Sequence, residues 1–112
     1  MAARSIEAAF VVSGIGSLDG ACLRYAGVDK PEALTGELEI VSLAGSLSAD
    51  GAHLHAVLST SQGRVLGGHV APGCTVRTTV ELLLAVLPDH RFSREIDPST
   101  GYPELVITTT RD

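Results

Sequence analysis

His53-Leu54-His55-Ala56-Val57-Leu58-Ser59-Thr60, then Ser61-Gln62-Gly63, then Arg64-Val65-Leu66-Gly67-Gly68-His69-Val70 read as two β-strands joined by a three-residue loop. Side chains alternate between the faces of a strand, so His53 and His55 project from one face. Leu54, Ala56 and Leu58 take the other, apolar face. Three-residue hairpin loops commonly end on a glycine in the left-handed conformation, which Gly63 supplies. A loop centred on Gln62 sets Thr60 opposite Arg64 and His55 opposite His69. His53 then lies diagonal to His69, within reach of a shared ligand. A slip of one residue would carry His69 to the wrong face, so the inference rests on the turn. Gly67 falls on the face of His69 and is expected to leave open space beside the imidazoles.

The flanking sequence is also strand-rich. Glu37 to Ser46 reads as a strand with Glu37, Glu39, Val41 and Leu43 on one face and Leu38, Ile40 and Ser42 on the other. Phe10 to Ile15 is a short buried strand. Ala21 to Tyr25 is expected to be its hairpin partner, across a turn at Ser17-Leu18-Asp19-Gly20. Ala2 to Ala9 reads as a short helical end, and Asp29 to Thr35, with Pro31, as loop. After Pro72-Gly73, Thr75 to Leu87 begins with β-branched residues and so begins as a strand. Glu81 to Leu87 stays open between strand and helix. Phe92 to Ile96 and Glu104 to Thr109 are two last strands around the turn Asp97-Pro98-Ser99-Thr100-Gly101. Many short strands, Gly-rich turns and little helix predict a mainly antiparallel sheet.

Composition narrows the function. A chain of 112 residues has the length of one domain. With aromatics at 4%, Val, Leu, Ile and Ala must do most of the packing. Thirteen acidic against eight basic residues give a formal charge of −5, and Lys30 is the one lysine. The arginines are scattered and form no basic run, which argues against direct DNA binding through a broad basic footprint. Cys22 and Cys74 form no disulfide framework and read as small, reduced, buried hydrophobes. No signal peptide is recognisable. The longest apolar stretch, Leu82 to Leu87, is too short to span a membrane. A cytoplasmic protein without membrane contact is therefore expected. Gly14-Ile15-Gly16 lacks the spacing of a dinucleotide fingerprint, and no Ser-His-acid arrangement is found.

Three converging neutral imidazoles are a metal-ligand set. Zinc accepts three histidines with a fourth position open to water or substrate, and nickel, copper or iron use similar sets. His53, His55 and His69 are accordingly the candidate metal ligands. The alternative is three polar residues on a wet sheet face. His90, beside Pro88-Asp89, reads as a surface loop residue.

Taken in order, several stretches resemble one known family. They are Val12-Ser13-Gly14-Ile15-Gly16-Ser17-Leu18 with Ala21-Cys22-Leu23-Arg24-Tyr25, and Gly36-Glu37-Leu38-Glu39-Ile40-Val41-Ser42-Leu43-Ala44-Gly45-Ser46-Leu47. His53-Leu54-His55, Gly67-Gly68-His69-Val70, Val76-Arg77-Thr78-Thr79-Val80-Glu81 and Phe92-Ser93-Arg94-Glu95 with Asp97-Pro98 and Gly101-Tyr102 complete the match. Over nearly the whole chain the sequence is similar to the plant and prokaryote conserved (PPC) domain. The resemblance implies one α/β (α+β) domain over residues 1–112, compact, with a mainly antiparallel sheet and little helix. It implies a homotrimer of the stand-alone prokaryotic type, and zinc or another divalent transition metal held by His53, His55 and His69. In the plant proteins the domain follows an AT-hook and serves self-association and partner binding. This chain has no Arg-Gly-Arg-Pro core of such a hook. Against the family pattern, an N-terminal strand and part of the first helix are missing.

Three functional readings follow. The first is a homotrimeric scaffold or regulatory module, DNA-associated through protein partners, with apolar contact surface from Leu38 to Leu43 and Leu82 to Leu87. The second is a zinc-dependent enzyme acting on a small molecule, with Glu81 or Glu39 as general base and Arg24 and Arg77 as contacts to an anionic substrate. The third is direct DNA binding, with affinity that falls steeply with salt.

Overall fold

In a computed structural model, which describes residues 6–110, every element is a strand. These are β1 (Ala9–Arg24), β2 (Glu32–Ser48), β3 (Gly51–Thr60), β4 (Val65–Val70), β5 (Val76–Val86), β6 (His90–Ile96) and β7 (Pro103–Thr109). All pairings are antiparallel. The mainly antiparallel, strand-rich fold is as expected, and the described residues contain no helix. Of the expected helical end, residues 2–5 lie outside the described ones. Ile6–Ala8 are irregular and Ala9 already opens β1, where its pairing with Leu47 and Val86 commits the backbone to a sheet.

β1 organises the sheet. One edge pairs with β2; the other pairs with β5 between Ala9 and Leu18, then with β4 at Leu23 and Arg24. Because β2 also pairs with β3 and β3 with β4, these four strands close into a ring. β5 is left with an edge that has no partner among the described residues. β6 and β7 form a separate hairpin. The core lies inside the ring, around Val11, Leu18, Leu23, Leu38, Ile40 and Leu58. Leu58 is 1% exposed. Leu58→Ala is expected to cost about 3 kcal/mol, the transfer free energy of the lost methyl groups plus the cavity they leave. Urea unfolding at a fixed protein concentration measures it, and a loss below about 1 kcal/mol would show that the site collapses.

Four expectations need correction. The stretch around Ser17-Leu18-Asp19-Gly20 does not reverse the chain, so Phe10 to Ile15 and Ala21 to Tyr25 are not a hairpin. Both belong to β1 up to Arg24, and the ladder to β2 merely shifts register between Asp19 and Ala21. Gly20, at φ +84°, absorbs that irregularity. The faces of β2 also switch. Ile40 pairs with Leu58 but Ser42 with Val57, so Val41 is an extra residue bulged out of the ladder. Leu43 thereby joins Leu38 and Ile40 in the core instead of facing away from them. Glu32 already lies in β2, inside the expected loop, and Glu81 to Val86 continues as strand through pairing with β1. His90 opens β6, opposite Thr109, instead of lying in a loop.

Candidate metal centre

The β3–β4 hairpin has the expected turn and register. Thr60 N–H donates to the Arg64 carbonyl at 2.8 Å, and Gly63 N–H donates to the Thr60 carbonyl at 2.9 Å. Gly63 has φ +79°, the left-handed conformation that the loop requires. The Thr60 hydroxyl accepts from Gln62 N–H at 3.3 Å and from Arg64 N–H at 3.2 Å, which pins the loop. His55 is paired with His69, and Leu58 with Leu66.

The three imidazoles therefore meet. Ring centroids are 5.2 Å apart for His53 and His55, 5.0 Å for His53 and His69, and 5.7 Å for His55 and His69. Each ring offers one nitrogen, and the three nitrogens lie within 4.8 Å of one another. Nitrogens sharing a tetrahedral zinc are about 3.4 Å apart, so modest ring rotations draw the set together. His53 and His69 are half-buried and His55 is exposed. Nδ1 of His69 is buried without a hydrogen-bond partner. A buried lone pair with no donor facing it costs about 1–3 kcal/mol, and it suits a cation. The donor set thus fits a divalent transition metal.

Burial and nearby charge favour the neutral form of His53 and His69, the form that metal ligation requires. Burial, then the charge of Arg94, holds His53 below the usual imidazole range. Burial, then Arg24, does the same for His69. The folded protein therefore binds fewer protons at these rings than the unfolded chain. Their contribution to stability is full above the unfolded value, near 6.5, and is lost as pH falls through the lower folded values. The metal-free protein is expected to lose urea resistance as pH falls below about 6.5, and His53→Gln is expected to flatten that dependence. An unchanged slope in the variant would contradict it.

The surroundings differ from the expected picture in one respect. Gly67 does not open space beside the rings: a Cβ there would lie 3.2 Å from the Ala56 carbonyl and 3.6 Å from Val57 Cγ2. The close approach is at Gly68, where a Cβ would meet the Arg24 carbonyl at 2.8 Å. Gly68 thus lets β1 dock on β4, and the docking sets Arg24 opposite His69.

Arg24 is brought to the histidines, while the other candidate residues stand apart from them. Arg77 forms an exposed ion pair with Glu37 at 3.1 Å. Arg77 and Glu39 line a different cavity, with Ser17, Thr60 and Ser61. Glu39 is paired with Ser59, four residues beyond His55 and roughly 13 Å along β3. Glu81 is exposed on β5, opposite Ile15.

Sequence reasoning did not single out Arg94 and Tyr102 of the β6–β7 hairpin. Arg94 N–H donates to Asp50 Oδ2 at 2.9 Å, and Arg94 Nη2 donates to the Ser46 hydroxyl at 2.7 Å. Ser46 is 4% exposed and pairs with His53, so its buried hydroxyl draws Arg94 to the site. Beside the histidines lies a cavity of about 610 Å³ lined by Arg24, Val28, His53, His69, Tyr102 and Glu104. No local sequence signal brings the hairpin here, because the contact joins segments about fifty residues apart.

Comparison with known proteins sets this geometry in context. The chain is 48% identical over 102 residues to the bifunctional protein GlmU of Synechococcus sp. strain JA-2-3B'a(2-13), covering 91% of this chain. It spans only 16% of the length of that relative. A hypothetical protein of Salmonella enterica superposes with a TM-score of 0.89 at 46% identity, over 93% of this chain and 75% of that one. A protein of Ralstonia eutropha, provisionally named as DNA-binding, gives 0.76 at 26% identity, over 90% and 74% of the two chains. The metal-containing protein AF0104 of Archaeoglobus fulgidus gives 0.72 at 28% identity, over 90% and 75%. The family model of the Plants and Prokaryotes Conserved (PCC) domain matches residues 1–88. The chain is a member of the PCC domain family.

Proposed function

We propose that this chain is a self-associating, metal-holding PCC module: a homotrimer that carries zinc or another divalent transition metal at His53, His55 and His69. The observation that carries the metal is the convergence of three imidazoles, one nitrogen of each within 4.8 Å of the others; the buried, unpartnered Nδ1 of His69 adds to it. The description of the Archaeoglobus relative as metal-containing supports the same reading. Three histidines leave one position open, where zinc would acidify a water or polarise a carbonyl. Burial, with the charges of Arg94 and Arg24, disfavours protonation of His53 and His69.

Surface area supports self-association. The accessible surface is 7688 Å², against about 5,800 Å² for a typical folded monomer of this mass. The excess exceeds the roughly 800 Å² that each partner buries in a standard interface. Much of the exposed apolar surface lies on β1 and on β5, whose outer edge has no partner among the described residues, at Ile15 (52% exposed), Leu82 (51%) and Leu83 (62%). A free, apolar edge strand normally needs a cover. Its partners are further copies of the chain and, through them, other proteins. Among the described residues no helix is long and apolar enough to cross a membrane, and the proposed location is the cytoplasm.

Elemental analysis and sedimentation of protein purified without an affinity tag or chelator test both parts. The expected result is about one metal per chain in a trimer; metal-free protein would overturn the first part and a micromolar monomer the second. A zinc-dependent enzyme acting on a small molecule is the second reading, favoured by the cavity of about 610 Å³ beside the histidines. Direct DNA binding finds little support in a chain of charge −5, and affinity falling steeply with salt would be its signature.

A further inference from the structure

Two guanidinium groups flank the histidine cluster without a carboxylate partner. Among the described residues the ion pairs are Arg77 with Glu37 and Arg91 with Glu7, so neither Arg24 nor Arg94 is paired. Arg24 makes only a long contact, Nη1 to the Val28 carbonyl at 3.5 Å. It is half-buried and held opposite His69 by the β1–β4 ladder. Arg94 uses Nη2 on Ser46. Half-buried guanidinium groups usually find an acid, because their planar fork binds oxyanions in pairs of charge-assisted hydrogen bonds. Arg24 instead lines the cavity shared with His53 and His69. Asp29 and Glu104 line that cavity too, and Arg24 is the one guanidinium among its lining residues, so an oxyanion there has Arg24 as its charged partner. Tyr102, Pro103 and Val28 add apolar wall, which suits an organic body behind the charged group.

We propose that this cavity takes a small molecule bearing a carboxylate or phosphate, whose oxyanion is held by the Arg24 guanidinium beside His53 and His69. The proposal rests on the reading of the histidine cluster as a ligand site, and it assigns the ligand's charge and the residue that recognises it. Arg94 strengthens the positive field on the far side of His53.

The test titrates inorganic phosphate and malonate into the protein at constant ionic strength, by calorimetry and by ¹⁵N NMR of the arginine Nε–H groups. Zinc-loaded and metal-stripped protein are run in parallel. At least one anion is expected to shift the Arg24 Nε–H signal saturably. Arg24→Gln is expected to weaken binding at least tenfold, Arg24→Lys to restore part of it, and Arg77→Gln to change nothing. Tighter phosphate identifies a phosphate ester as the ligand, and tighter malonate a carboxylic acid. An unshifted Arg24 signal in wild-type protein, or equal affinity in wild type and Arg24→Gln, overturns the proposal. Zinc uptake is measured on the same samples. If zinc binds and the anions do not, only this proposal falls. If zinc does not bind while Arg24-dependent anion binding persists, only the metal reading falls.

Discussion

His69→Ala is expected to weaken metal binding by at least about 100-fold, since removing even an outer partner of a ligand costs 10–100-fold. The reason lies in the register. His69 is opposite His55 and close to His53, so it is the member that joins the two β3 rings into a three-point set. Two imidazoles on one strand remain a poor cage. The same substitution separates a metal ligand from an ordinary buried histidine, because its effect depends on the ion. In wild-type protein, free zinc at a thousand times its dissociation constant adds about 4 kcal/mol of stability. His69→Ala should lose that increment. Without metal the variant should lie within about 1 kcal/mol of wild type, because it removes a buried nitrogen that already lacked a partner. Thermal unfolding with and without zinc, at one protein concentration, measures both quantities. His90→Ala, outside the cluster, is the control expected to keep the whole increment. An equal zinc increment in His69→Ala would remove the histidine from the site.

The site was legible in the sequence where its determinants are local. Parity along His53 to Thr60 and the glycine-ended loop at Gly63 are short-range facts. They suffice to pair His55 with His69. The misreadings share a different cause. Val41 is bulged by its ladder to β3, and no property of Val41 announces it. Ser17 to Gly20 carries turn residues, yet pairing with β2 on one edge and β5 on the other holds the chain extended up to Asp19. Tertiary pairing overrides local preference at both places. Arg94 carries no local signal of its place beside the histidines, because that place depends on a hairpin docking over Ser46 and Asp50. Fold class and the histidine cluster thus follow from local pattern. The walls of the cavity are set by contacts far apart in the chain.

Gly45→Ala is expected to be the most damaging small substitution in the sheet, costing about 3 kcal/mol or more. Gly45 has φ +152°, in the range where side chains are rare. A Cβ there would overlap the His53 carbonyl oxygen and lie 2.8 Å from Leu54 Cα. Both obstacles are backbone, so no side-chain rotation relieves them. β3 must move away from β2 where Ser46 pairs with His53. The predicted consequence is therefore double. Stability falls, and the His53 ring shifts out of register with His55 and His69, lowering zinc affinity even under conditions where the chain remains folded. Gly36→Ala isolates the backbone term: Gly36 has φ +89° but nothing within 4 Å of its Cβ position. It should cost only the conformational strain, on the order of 1–2 kcal/mol, and leave zinc affinity unchanged. Urea unfolding of both variants, with zinc titration of each folded protein, decides the matter. If Gly45→Ala bound zinc as tightly as Gly36→Ala, the position of His53 would not depend on the β2–β3 contact, and the metal centre would tolerate displacement of its own strand.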